Sequence, residues 1–193
     1  MNIVLFGPPG SGKGTQAVKL RDKYALLHVS TGDIFRAHIK NETPLGTEVK
    51  GFLDAGHLVP DELTIRILED YVDHNLTPHH KGIIFDGFPR TIPQAEALDQ
   101  MLLAKRMPVK KVLALNVDDE EVTQRILKRG QTSGRSDDSD ETTVRKRLQV
   151  YKDQTEPLKE FYVQQGKFTA LDGEGAIDDV FVLLCEEMDG IGV

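Results

Sequence analysis

Cysteine is nearly absent. Cys185 stands alone among 193 residues, which excludes an internal disulfide framework and a cysteine-built metal site and fits a reducing compartment. An excess of positive charge is also lacking: 24 Lys plus Arg face 31 Asp plus Glu, a net charge of −7. General affinity for nucleic acid or an anionic membrane needs a basic face, so neither partner is expected, although a local cluster of arginines can still bind a small anion. Long apolar runs are missing too. No stretch approaches the roughly 18–20 apolar residues of a membrane span. The opening Met1-Asn2-Ile3-Val4-Leu5-Phe6-Gly7 has no basic lead and too short an apolar run for a signal peptide. The expectation is a soluble cytoplasmic chain. Its hydrophobic fraction of 39% is enough for a core, and its length fits one domain over residues 1–193.

Short β-rich runs alternate with longer helical patterns, the signature of a parallel sheet covered by helices on both faces. The runs predict strands at Asn2–Phe6, Leu27–Ser30, Ile83–Asp86, Val112–Val117 and Lys167–Leu171. Helices are predicted at Gly12–Tyr24, Gly32–Lys40, Leu45–Ala55, Asp61–Asn75, Pro93–Ala104, Asp119–Arg129, Asp140–Gln165 and Ala176–Met188. Asp61 and Asp119 stand where N-caps belong, Gly130 is placed as a helix stop, and Pro157 should bend or break the long helix near Glu156. Two segments exceed a simple crossover. About fifty residues separate the second and third strands, and residues 130–139 form a polar, glycine-containing stretch with nothing to bury.

Gly7-Pro8-Pro9-Gly10-Ser11-Gly12-Lys13-Gly14-Thr15 follows the first strand and opens the first helix. Glycines there let N–H groups turn around an anion, the helix N-terminus adds its dipole, and Lys13 adds a full charge. The general phosphate-loop pattern has Ser or Thr directly after the Lys; here Gly14 intervenes before Thr15. The loop alone implies nucleotide phosphate and does not separate kinase, GTPase or motor. Asp86-Gly87-Phe88-Pro89-Arg90-Thr91-Ile92-Pro93-Gln94 ends the third strand at the edge of the sheet where ligands bind. Asp86 can orient waters on a nucleotide-bound Mg²⁺, and Pro89 aims Arg90. In Ser30-Thr31-Gly32-Asp33-Ile34-Phe35-Arg36, Thr31 can either meet a ligand or cap the helix. Arg125 and Arg129 share one helix face, with Arg135 in the polar loop and Arg147 on the helix leaving it. Four guanidiniums around one loop suit phosphoryl transfer, which is mainly positioning and charge stabilisation. Ordinary ion pairing, as between Glu121 and Arg125, is the competing reading.

Together these residues resemble the adenylate kinase family, in order and spacing, from Met1 to about Val182. The resemblance implies an α/β, P-loop NTPase-type three-layer fold: a five-stranded parallel sheet flanked by helices, with an inserted AMP-binding segment at about 30–59 and a short lid at about 129–139. It implies reversible transfer from MgATP to AMP, giving two ADP. In that reading Gly10, Ser11, Gly12, Lys13, Gly14 and Thr15 hold the ATP phosphates, Arg125 and Arg129 meet ATP, and Gly175 touches its adenine. Thr31, Arg36, the backbone around His57, Leu58 and Val59, and Gly87, Phe88, Pro89 and Arg90 bind AMP, whose adenine edge Gln94 reads. Arg135 and Arg147 bridge to the AMP phosphate and the transition state, and Asp86 sits in the Mg²⁺ water shell. The short lid carries no Cys or His, so the structural zinc of some relatives is not expected, and a monomer is. A UMP/CMP kinase of the same fold and a nucleotide-sensing module without turnover are the alternatives. A GTPase is disfavoured because no Asn-Lys-x-Asp signature is found.

Overall fold

The apolar runs become parallel strands because both of their faces are covered. The computed structural model describes residues 1–191. Its strands are β1 (Asn2–Phe6), β2 (Leu27–Ser30), β3 (Ile83–Asp86), β4 (Lys111–Asn116) and β5 (Phe168–Asp172), in the spatial order β2-β3-β1-β4-β5. All four pairings are parallel, with Val4 beside Phe85 and Val112, and Ser30 beside Asp86. The helices are α1 (Lys13–Tyr24), α2 (Thr31–Lys40), α3 (Pro44–Asp54), α4 (Asp61–Asn75), α5 (Ile92–Ala104), α6 (Asp119–Ser133), α7 (Glu141–Val150), α8 (Leu158–Gln164) and α9 (Ile177–Asp189).

The two-residue period of the strands divides their side chains between two cores. Val4, Phe6, Ile83 and Phe85 pack with Leu68 of α4, Leu98 of α5 and Tyr162 of α8. Ile3, Leu5 and Ile84 point the other way, against Leu20 of α1 and Leu184 and Cys185 of α9. The excess chain between β2 and β3 builds a small core of its own from Phe35, Val49, Val59 and Leu63. Among the described residues no helix is long and apolar enough to cross a membrane.

Several boundaries differ from expectation. β4 begins at Lys111 and ends at Asn116, while β5 is shifted to Phe168–Asp172. Pro60 rather than Asp61 precedes α4, and Asp118 rather than Asp119 caps α6, accepting from the Glu120 N–H at 2.9 Å. Gly130 does not stop α6, which runs to Ser133 and ends on Gly134 at φ 66°. A side chain at Gly130 would collide with the main chain of Asp138, so a glycine stands there for closeness rather than for termination. The stretch after α6 does bury something: Asp137 and Asp138 lie in a 3₁₀ turn at Ser136–Asp138, and both are buried. The long helix expected over Asp140–Gln165 is interrupted before Glu156. α7 stops at Val150, and a π-turn at Tyr151–Thr155 closes with Glu156 N–H donating to Tyr151 O at 2.8 Å. Pro157, which cannot donate, then starts α8.

Candidate active site

The strands' carboxyl ends face one cleft of about 1010 Å³. β1 delivers the chain into the phosphate loop, and α1 begins at Lys13 after Gly12. Gly10 has φ 85°, and a Cβ there would stand 2.7 Å from Ile126 Cγ1 and 2.9 Å from Val122 O, so only glycine lets the loop lie on α6. Lys13 Nζ donates to Gly7 O and Pro8 O, each at 2.7 Å, and to Ser11 Oγ at 3.3 Å. Burial lowers the Lys13 pKa to about 8; Asp86 opposes this, while Arg90, Arg147 and Arg129 add to it.

β3 ends on Asp86, which is 8% exposed and 3.4 Å from His28 Nε2. The phosphate loop is close by, since a Cβ at Gly14 would stand 3.5 Å from Asp86 Oδ2. Gly87, at φ 74°, turns the chain, and Arg90 Nε donates back to Gly87 O at 2.6 Å. Burial and Arg147 lower the Arg90 pKa to about 10, which leaves the guanidinium charged at neutral pH. Thr31 does not cap α2. Ser30 does, accepting from Asp33 N–H at 3.3 Å, while Thr31 Oγ1 donates to Gly87 O at 2.9 Å. Gln94, 2% exposed, accepts from Arg90 N–H at 2.8 Å and donates to Asp61 Oδ1 at 2.8 Å. It keeps one amide hydrogen and one lone pair for a ligand.

The arginines are paired as well as clustered. Arg129 binds Asp138 in a two-point fork at 2.6 and 2.9 Å, and Arg147 Nη1 reaches the same carboxylate at 2.7 Å and Asp137 O at 2.9 Å. Burial raises the Asp138 pKa, but the two guanidiniums outweigh it and hold the carboxyl below its usual range. Arg125 pairs with Glu121 at 2.8 Å, as the competing reading expected, and also donates to Gly173 O at 3.2 Å. Asp33 lies 2.7 Å from Arg36 and 3.4 Å from Arg135, so a residue of α2 meets the α6–α7 loop. His57 is exposed, and its N–H is taken by Phe52 O at 2.9 Å.

Every residue expected at the site lines this cleft, from the phosphate loop through His57, Leu58, Val59 and the Asp86–Arg90 turn to Gly175. Sequence reasoning missed the carboxylates that hold the cations: Asp33, Asp137 and Asp138. It also missed Asp61, which orients Gln94. The signal was faint, an acidic pair beside arginines in a stretch read as solvated loop.

The family model for adenylate kinase matches residues 5–167. The chain is similar to an adenylate kinase of Flavobacterium psychrophilum, 52% identical over 99% of this chain and 100% of that protein. An adenylate kinase of Bacteroides fragilis is 50% identical over 98% of each chain, and one of Bacteroides thetaiotaomicron 49% over the same shares. By both measures, a match over most of its length and half-identical relatives of equal extent, the chain belongs to the adenylate kinase family.

Proposed function

We infer that the protein transfers a phosphoryl group reversibly from MgATP to AMP, giving two ADP. The observation that carries this reading is electrostatic. Lys13, Arg90, Arg129 and Arg147 lie close enough in one cleft for each arginine to depress the lysine's proton affinity, an arrangement that a polyanion between them relieves.

Gly10 to Thr15 hold the ATP phosphates in this reading, and Lys13 follows the group in flight. Arg125, Arg129 and Gly175 serve ATP. Thr31, Arg36, the backbone at His57, Leu58 and Val59, and Gly87 to Arg90 hold AMP, with Gln94 on its base and Arg135 and Arg147 bridging the reacting phosphates. Arg90 suits the AMP phosphate because its Nε is anchored and, among the described residues, its Nη groups donate to no protein acceptor. No strong base is needed, since the nucleophile is a phosphate oxygen already. The protein's task is to align donor and acceptor and exclude water. The segment at about 30–59 closes over AMP and the lid at about 129–139 over ATP. Asp33 with Arg135 and Ser136 with Asp54, the latter at 2.6 Å, support contact between the two.

Mg²⁺ fits the buried carboxylate of Asp86 beside the phosphate loop, because this ion takes oxygen ligands and keeps its waters. When bound it neutralises charge on the transferring phosphates. We place the protein in the cytoplasm, consistent with its single cysteine, and take it as a monomer, as the family resemblance implies.

The test is ADP production from ATP and Mg²⁺ with AMP, UMP, CMP or GMP offered separately, against a control without acceptor. Rapid ADP formation with AMP alone is expected. Preference for UMP or CMP would overturn the roles of Thr31 and Gln94, and silence with every acceptor would overturn the reaction.

A further inference from the structure

One polar side chain in the cleft wall has no part in the scheme above. Gln16 stands one turn after Lys13 on α1 and is 3% exposed. Its Nε2 donates to Ile177 O at 2.8 Å, far along the chain at the start of α9. Its Oε1 is buried and, among the described residues, has no hydrogen-bond partner. An orphaned buried amide oxygen is a standing cost, so a Gln at this position calls for an explanation that packing does not give.

The segment that Gln16 grips supplies it. Residues 173–177 leave β5 at the cleft and are held by side chains at both ends. Arg125 Nη1 donates to Gly173 O at 3.2 Å, and Gln16 holds Ile177. Between them Gly175 adopts φ 102°. Two apolar side chains of the cleft wall lie open: Val18 of α1 is 41% exposed, and Ile177, whose carbonyl Gln16 holds, is 56% exposed. An exposed apolar side chain, on a segment whose other end a guanidinium holds, offers a surface for a flat, uncharged ring.

We propose that Gln16 is the positioning residue of the donor-base subsite. It fixes the 173–177 segment to the same helix that begins at Lys13, and so sets the span between the phosphate-binding end of the donor nucleotide and its base. The inference rests on the reading that ATP occupies this end of the cleft. In that arrangement Gln16 touches no nucleotide. It acts through the main chain of Ile177, and it determines how tightly, and with what discrimination between purine bases, the donor is held.

The experiment compares wild type with Gln16→Leu and Gln16→Met, which keep the volume and remove the donor. Readouts are KM for ATP, GTP and AMP, kcat, thermal midpoint, and calorimetric affinity for ATP and for inorganic tripolyphosphate, which lacks a base. The loss of one neutral hydrogen bond predicts a rise of about five- to tenfold in KM and Kd for ATP. The ATP-over-GTP preference should narrow, with kcat within about twofold, AMP KM and tripolyphosphate affinity unchanged, and a thermal midpoint no lower than wild type because the orphaned oxygen is gone. An unchanged KM for ATP overturns the proposal. So does a parallel loss of tripolyphosphate affinity, which would place the effect in the phosphate loop, or failure of both variants to fold, which would make Gln16 a packing residue. If wild type makes no ADP from ATP and AMP, the proposed reaction falls, and the comparison of ATP with tripolyphosphate binding still decides the role of Gln16.

Discussion

Lys13 is buried, and Arg90, Arg147 and Arg129 add to the cost of that burial while Asp86 opposes it, so its ammonium gives up its proton near pH 8 rather than near 10.5. The sign of the stability effect follows. Below about pH 8 the buried charge is retained at a penalty, and between that value and 10.5 the unfolded chain binds more protons, so stability from this group rises with pH. Polyphosphate binding has the opposite dependence because it favours the charged form. ATP binding should take up a proton between about pH 8 and 9 and weaken as the pH rises through that range. Calorimetry in buffers of different ionisation enthalpy would read the uptake, and Lys13→Met should abolish it. At Arg90 the prediction is kinetic. Removing a guanidinium whose Nε anchor at 2.6 Å fixes its aim should lower kcat by roughly 10³-fold, the lower end for a transition-state arginine. A tenfold or smaller drop in steady-state turnover of Arg90→Ala would put the residue outside the reacting shell.

At the scale of elements, the turn joining α6 to α7 is organised by one carboxylate. Asp138 is fully buried and serves Arg129 and Arg147 together. Asp138→Asn leaves both guanidiniums short of their countercharge and should destabilise the fold by about 3 kcal/mol, toward the low end for a broken buried pair because Arg129 keeps contact with water. Urea unfolding should show a lower midpoint at unchanged slope, and saturating ATP should recover part of the loss. This turn also marks the limit of what the sequence discloses. Strands β1, β3 and β4 were legible because runs such as Ile83–Phe85 are apolar on both faces, and the phosphate loop because its glycines and lysine follow a strand. Residues 130–139 were misread as solvated, since nothing local shows that Asp138 finds two cations supplied by different helices. The π-turn at Tyr151–Thr155 was equally hidden. Pro157 announces a break, but the shift of register ahead of it depends on tertiary packing, including Thr155 Oγ1 donating to Arg90 O at 2.9 Å.

The whole molecule combines a net charge of −7 with a cationic cleft, so its outer charge and its binding charge have opposite signs. Nucleotide association should therefore depend on the local field of the cleft, which salt screens over about 8–10 Å. Stability has a separable contribution from Tyr162, which is fully buried in the core under β4 and β5 with a hydroxyl that finds no partner among the described residues. Tyr162→Phe removes that polar atom without opening a cavity and should raise stability by about 1 kcal/mol, or roughly 2–4 °C in the thermal midpoint, as scanning calorimetry would measure.

Cys185 gives the molecule a native clock. It lies on α9, 7% exposed, in the core shared with α1, and α9 starts at the residue that Gln16 holds. A thiol reagent reaches the sulfur only when that helix lifts from the sheet, so the labelling rate counts such openings in the unaltered protein. At a hundredfold excess over its Kd, ATP should slow the reaction by up to about 100-fold if lifting α9 abolishes the donor site. AMP, which the proposed scheme seats at the far end of the cleft, should slow only those openings that unfold the whole chain. The ratio of the two protections would then report, from one sulfur atom, how independently the two halves of the cleft breathe.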